Sequence, residues 1–286
     1  MISTTTPLDY KELKAIWLEA FDEVGVNNMD AEYYADTFLL HHDNFSGLTY
    51  RENGRIVSML FLIPCFWDGA AGYYVYACTT QSQFREKGYM KALLDAAFEK
   101  AQNENAFGLV LIPGNPSLCD YYGKNGFQPF SHIEEHVFKE KNEHDDCSFV
   151  KTYDVGMIND LRNHFYENHF AIQFGQQHIQ YIQNRMVNEH GATLYFKDVE
   201  KEGYAFCIFD DLNEKVYVWE WAMISNSLQK DIFSFFTGIC HYFNVSVLSI
   251  RSKSGLGLGC ERPFSMIRLC TAKQIPKNPY FNLGMD

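Results

Sequence analysis

The sequence predicts an α/β (α+β) protein: a mixed central sheet flanked by helices, built as two similar units in tandem. Three observations carry this. Helical and strand patterns alternate along the chain instead of segregating, which is how a sheet covered by helices reads. The order helix, helix, strands, helix, strand appears in the first half and returns in the second without a repeat in the residues themselves. The chain has 286 residues, 47% of them hydrophobic and 16% aromatic, so there is enough apolar surface for a sizeable core or two.

The elements follow in order. Asp9 to Glu23 carries Leu13, Ile16, Trp17, Ala20 and Phe21 at helical spacing. A second helix is expected near Ala31 to His41. Ser46 to Arg51 and Arg55 to Pro64 flank Glu52-Asn53-Gly54, a β-hairpin on an Asn-Gly turn. Tyr73 to Thr80 reads as the next strand. Gly88 to Glu104 reads as a helix whose apolar face includes Tyr89, Ala92, Leu93 and Ala96. Phe107 to Ile112 is a short apolar run with punctuation at both ends, a buried strand. A helix then ends at Gly126, placed as a C-cap glycine. His136 to Asp146 is polar and charged and is the best linker candidate, dividing the chain into units 1–140 and 148–286. Beyond it, Val155 to Glu167, His178 to Glu189 and Leu228 to Phe243 look helical. Ala192 to Phe196, Gly203 to Phe209, Lys215 to Met223 and Val245 to Arg251 look like strands.

Composition narrows the function. The net charge of -12 argues against nucleic acid as a partner, because phosphate backbones need clustered Lys and Arg. It is compatible with steering a cationic acceptor, although solubility alone explains it. The cysteines form no C-x-x-C pair and read as free thiols of a reducing compartment. The N-terminus is polar, and the longest apolar runs fall far short of a membrane span. A cytoplasmic protein without a membrane segment is expected.

The chemistry concentrates in Thr79 to Leu94, where a strand feeds a basic loop and the loop opens a helix. Backbone N–H groups at a helix start lack internal partners, and the helix dipole adds positive charge, so such a start binds phosphate. Arg85 and Lys87 add charge, and Gly88 allows close approach to the backbone. Downstream lies Asn115, then Tyr121-Tyr122-Gly123-Lys124-Asn125-Gly126-Phe127.

These two segments resemble the GNAT family of acetyl-CoA-dependent N-acetyltransferases. Arg85-Glu86-Lys87-Gly88-Tyr89-Met90 is similar to that family's Gln/Arg-x-x-Gly-x-Gly/Ala loop, with Met90 where a small residue is usual. Tyr122-x-Lys124-x-Gly126-Phe127 is similar to its Tyr-x-Lys-x-Gly-Phe segment. The resemblance covers roughly the first 140 residues and implies the GNAT fold. It implies acetyl-CoA as co-substrate, with the backbone of Cys78, Thr79 and Thr80 pairing its pantetheine arm. It further implies that Arg85, Glu86, Lys87, Gly88, Tyr89, Met90 and Asn115 surround the cofactor, and that Tyr122 protonates the departing thiolate. Tyr121 is a rival one position away, and Asn115 serves equally as a turn or N-cap residue. The acceptor would be a small-molecule or peptide amine, with no metal.

In the second unit the counterpart of the phosphate loop would be Ile224 to Ser227, which has no Arg, Lys or Gly. That unit is expected to be a degenerate, non-catalytic GNAT-like module that shapes the acceptor site or a homodimer interface. It resembles tandem arrangements such as the enhanced-intracellular-survival acetyltransferases. Two other functions stay open: an acyl-CoA sensor without turnover, motivated by Met90, and an aminoacyl transferase, which the acidic balance disfavours. Three further features are weighed against ordinary roles. His41-His42-Asp43 suggests a metal, but its members point in different directions on a helix end. Gly255-x-Gly257-x-Gly259 lacks a following helix and reads as a flexible turn. Glu220 either faces a cleft and helps bind an amine or lies on an exposed sheet face.

Overall fold

The computed structural model describes residues 1–21, 31–140, 147–167, 170–272 and 274–284. The first half runs β1 (Ile2–Thr4), α1 (Tyr10–Ala20), α2 (Ala31–His41), β2 (Ser46–Glu52), β3 (Arg55–Trp67), β4 (Ala70–Thr80), α3 (Tyr89–Asn103), β5 (Gly108–Leu111), α4 (Ser117–Lys124), β6 (Gln128–Pro129) and β7 (His132–Lys139). The second runs β8 (Val150–Lys151), α5 (Val155–Tyr166), β9 (Gln173–Phe174), α6 (Gln176–Asn188), β10 (Ala192–Lys197), β11 (Glu202–Asp210), β12 (Lys215–Ile224), α7 (Leu228–Phe243), β13 (Val247–Lys253), β14 (Cys260–Pro263) and β15 (Met266–Leu269). The hairpin turns as its sequence demands, with φ of 50° at Asn53 and 82° at Gly54, both on the left-handed side that this tight turn needs.

Two sheets form, and they read alike. The first has the order β1-β2-β3-β4-β5-β15-β6, with β9 pairing β3 off this path. The second, read from its other edge, has the order β8-β10-β11-β12-β13-β7-β14. In each, the first four strands are antiparallel neighbours, the fourth and fifth are parallel, and an antiparallel strand separates the fifth from the edge. That inserted strand comes from the other half both times: β15 enters the first sheet and β7 the second.

Strands therefore cross the expected boundary in both directions. Of the expected linker His136 to Asp146, His136 to Lys139 is the end of β7, and 141–146 lie outside the described residues, as do the last two residues of the expected Asp9–Glu23 helix. The exchange depends on close backbone approach at Gly108. Its φ is 142°, and a Cβ there would come within 2.0 Å of the Arg268 carbonyl oxygen on β15. The largest apolar cluster also spans both halves, joining Trp17 and Phe38 to Ile179 and Ile182. No helix among the described residues is long and apolar enough to cross a membrane.

Three further expectations resolve. His41 is exposed, whereas His42 is buried with its Nε2 3.1 Å from Nδ1 of His178. The Gly255 loop is a cradle rather than a loose turn. The N–H groups of Gly255, Leu256 and Gly257 donate to Oε1 of Glu134, and that of Leu258 to Oε2, at 2.7–3.0 Å. Burial pushes the Glu134 carboxyl up, but these backbone donors outweigh it and hold it below the usual range. Glu220 is on neither a cleft nor an exposed face. It is 0% exposed and accepts from Nε of Arg162 at 2.8 Å and from the Tyr204 hydroxyl at 2.8 Å. A buried carboxylate needs such partners, which removes it from amine binding.

Candidate active site

The site begins with a fault in the β3–β4 ladder. Met59 pairs with Thr79, and Phe61 pairs with Tyr76, so Leu60 alone faces Ala77 and Cys78. This is a β-bulge, and Ala77 sits in it with φ of 49°. Parallel pairing of β4 with β5 is confined to Tyr73↔Leu109 and Tyr74↔Val110. Beyond Tyr74 the two strands part, and the β4 edge through Cys78, Thr79 and Thr80 opens on a cavity of ≈ 860 Å³.

The loop after β4 closes one end of that cavity. A short 3-10 turn, Ser82–Phe84, leads into Arg85, and Gly88 stands at the N-cap of α3 with φ of 80°. A Cβ built on Gly88 would meet nothing within 4 Å, so its conformation and the open space above the helix start both suit an approaching ligand. Arg85, Glu86, Gly88, Tyr89 and Met90 line the cavity. Met90 also packs against the apolar cluster beneath α3. Lys87 does not line it. Its Nζ lies 4.8 Å from the Phe84 ring centre and 3.9 Å from Glu52 Oε2, turned to the outer side of the loop. The Tyr89 hydroxyl donates to Glu52 as well, and its ring stacks on Tyr50 at 4.3 Å.

The opposite wall comes from α4. Asn115 lines the cavity, and its Oδ1 accepts from the Ser117 hydroxyl at 2.5 Å. Gly126 N–H bonds to the Gly123 carbonyl and Phe127 N–H to that of Tyr122, both at 3.1 Å. This pair of bonds is the expected C-terminal cap, and it fixes where α4 points Tyr122. Tyr122 is 6% exposed. Burial, then the neighbouring Cys78 thiol, holds its phenol far above the ordinary range, so it stays protonated throughout the neutral range. Burial likewise pushes the Cys78 thiol up to about 12, against a smaller opposing pull from its hydrogen bond with Tyr122.

A second cavity of ≈ 340 Å³ adjoins the first. Phe21, Cys78, Gly114, Leu118 and Tyr122 line both. Tyr121 lines only the first. The smaller cavity takes Arg185, Arg262 and Phe264 from the second half, residues that the sequence did not single out. No local pattern marks them, because the fold alone carries α6 and β14 to this wall. Ala77 was missed for a similar reason: nothing about an alanine announces a bulge.

The second unit repeats the strand order, and its helix start is built differently among the described residues. Its ladder has a matching bulge, at Trp219, between the pairs Phe206↔Glu220 and Cys207↔Val218. At the start of α7, however, Asp231 accepts from Ser225 and pairs with Lys201 at 3.0 Å, which places a carboxylate where a phosphate would need positive charge. The Gly255 loop, wrapped around Glu134, stands where the first unit has α4.

Comparison with known proteins agrees with this anatomy. A GCN5-related N-acetyltransferase from Anabaena variabilis ATCC 29413 superposes with a TM-score of 0.73 at 16% identity, covering 95% of this chain and 73% of that one. A conserved protein of unknown function from Enterococcus faecalis V583, described as a probable N-acyltransferase, gives 0.73 at 13%, covering 94% and 72%. Eis1 from Mycobacterium abscessus gives 0.63 at 10%, covering 94% and 74%. At such identities the likeness is one of fold, and it extends over both halves. No curated protein matches the chain. Residues 10–127 match the model of the acetyltransferase (GNAT) family, so this part of the chain is a GNAT domain.

Proposed function

We propose that the protein is an acetyl-CoA-dependent N-acetyltransferase that acetylates a small amine. One observation carries this reading: the helix start at Gly88, the freed β4 edge and the buried phenol of Tyr122 all face one cavity. The site suits acetyl-CoA. The open space above Gly88 and the backbone N–H groups that begin α3 suit a pyrophosphate, and Arg85 at the cavity wall adds charge. Cys78, Thr79 and Thr80 offer backbone groups to the amides of a pantetheine arm. When bound, acetyl-CoA supplies an acetyl group activated as a thioester.

The chain's own residues do the rest. Tyr122 holds a proton on its hydroxyl at the place where the two cavities meet. It gives that proton to the departing sulfur as the new bond to nitrogen forms and the carbon–sulfur bond breaks. The proton shed by the nitrogen passes to solvent, from which Tyr122 regains its own. The same burial that raises the Cys78 thiol disfavours a thiolate in this position, which is why a nearby donor helps. Met90, which motivates a sensor without turnover, packs partly against the cluster beneath α3 and partly lines the cavity, while the space above Gly88 stays open.

Calorimetric titration tests the binding step. One acetyl-CoA should bind per chain, because Asp231 occupies the second helix start. Arg85→Glu and Gly88→Asp should each weaken binding at least ten-fold, read also as a lost thermal shift. Two equal sites, or parental affinity in both variants, would overturn the assignment.

A further inference from the structure

Resting on the amine-acceptor reading above, we propose that the acceptor also carries a carboxylate, as a free amino acid does, and that Arg185 of the second half recognises it. The smaller cavity beyond Tyr122 has a volume of ≈ 340 Å³, room for a molecule of amino-acid size. Its walls are largely aromatic and aliphatic, among them Trp17, Tyr74, Tyr76, Ile112 and Phe264. Among the described residues, the charged ones lining it are two arginines, Arg185 and Arg262, and none is a carboxylate.

Both arginines have acidic partners, and in both pairs the cation faces the cavity while the acid lies behind. Arg262 Nε and Nη2 bond Glu135 at 2.9 and 2.7 Å, and its Nη1 reaches the Pro263 carbonyl at 3.5 Å. That fork is taken up. Arg185 is different. It is 8% exposed, its Nε donates to Oε1 of Glu189 at 2.5 Å, its guanidinium also engages the Tyr34 side chain, and it lines the cavity from a buried position. Tyr34 from α2 and Trp219 from the β12 bulge lie 4.9 and 4.7 Å from the guanidinium carbon, so the fork is fixed against aromatic faces. A planar, pre-oriented, poorly hydrated guanidinium is the group that best matches a carboxylate. A second ammonium on the acceptor would instead meet like charge. The net negative charge of the whole chain is compatible with a cationic acceptor, but the described charged side chains that line this cavity are cations.

The test compares matched acceptors with acetyl-CoA as donor: phenylalanine against 2-phenylethylamine, and leucine against 3-methylbutylamine, with spermidine as a polycation. The carboxylated member of each pair should have a kcat/KM about 100-fold higher or more. Arg185→Gln should shrink that ratio at least ten-fold, mainly through KM. That variant leaves Glu189 buried without its partner, so Arg185→Gln with Glu189→Gln is the companion that removes both charges. It should shrink the ratio equally. Equal rates within each pair, a preference for spermidine, or a ratio unmoved in the double variant would overturn the inference while leaving the transferase reading intact. Binding of acetyl-CoA with acetylation of no amine at all would overturn both.

Discussion

Tyr122→Phe separates chemistry from architecture. The substitution removes one hydroxyl and keeps the ring, whose packing on Phe127 at 5.7 Å between centroids is retained. The hydroxyl's neighbour is the Cys78 thiol, a weak hydrogen-bonding group, so stability should fall by no more than about 1 kcal/mol. The effect on turnover follows from the same neighbour. Burial carries the Cys78 thiol from 9.0 to about 12, so a thiolate at this position is disfavoured by about three decades, or about 4 kcal/mol. Cys78 is only partly buried, and solvent screens some of that penalty. A departing sulfur denied its proton should therefore slow the reaction by about 10²–10³-fold, within the usual range for a positioned acid.

The assay follows thiol release spectrophotometrically, with acetyl-CoA affinity measured by calorimetry. kcat and kcat/KM should fall together while affinity stays within about two-fold, the mark of an interaction made in the transition state. Because the phenol is held far above its ordinary range, it is fully protonated below that range. The rate should then rise with pH as the amine loses its proton, with no descending limb from Tyr122 below about pH 10. Tyr121→Phe is the control, since Tyr121 lines only the larger cavity. A Tyr122→Phe enzyme with parental kcat, or a dead Tyr121→Phe enzyme, would refute the reasoning.

Two further outcomes concern architecture. Glu134→Gln places an amide N–H₂ against the N–H of Leu258 and turns three charge-assisted bonds neutral, so it should cost about 2–4 kcal/mol and lower the melting temperature by several degrees. The native carboxyl has a lowered pKa, so its contribution is present above the unfolded value of 4.5 and disappears as pH falls through the lower folded value. The gap between the two proteins in calorimetry should therefore close on acidification. Truncation after residue 145 removes β15 from between β5 and β6, and the fragment should show neither a cooperative unfolding transition nor a thermal shift with acetyl-CoA. A fragment that melts cooperatively and binds like the full chain would show that the exchanged strand is dispensable.

What the sequence disclosed divides along physical lines. Local chemistry was legible. The Asn53-Gly54 turn, the helix opening at Gly88 and the cap at Gly126 appear where their residues required, and Leu228–Phe243 was read to the residue from its periodicity. Cys78, Thr79, Thr80, Arg85, Glu86, Gly88, Tyr89, Met90, Asn115 and Tyr122, the positions that the family resemblance pointed to, line one cavity. What failed was long-range. β15 is four residues long, Met266 to Leu269, too short for a period-two pattern, and its partners β5 and β6 lie more than a hundred residues earlier. Lys87 had the right charge in the right loop, but its ammonium lies beside Phe84 and Glu52 and does not line the cavity. Glu220 alternates with Trp221, but the bulge at Trp219 breaks the alternation on its other side, and the face it occupies is closed by Arg162 and Tyr204, which no pattern on β12 reveals.

The exchange of strands gives the second half a reason to persist without a phosphate loop. Each sheet is completed by a strand of the other half, so neither can be lost without opening the other. Under that constraint the second site is free to change while its scaffold is not. Its bulge is retained, but the residue on it, Trp219, now backs Arg185. Its equivalent of the α4 region has become the cradle for Glu134, a carboxylate on the exchanged strand β7. That cradle fixes β7 and through it Glu135, which holds Arg262 at the cavity wall. Groups of the second unit thus serve the walls of the cavity in the first. The smaller cavity is consequently a property of the pair: Tyr122 comes from one half, the arginines from the other, and the crossing strands hold the two in register.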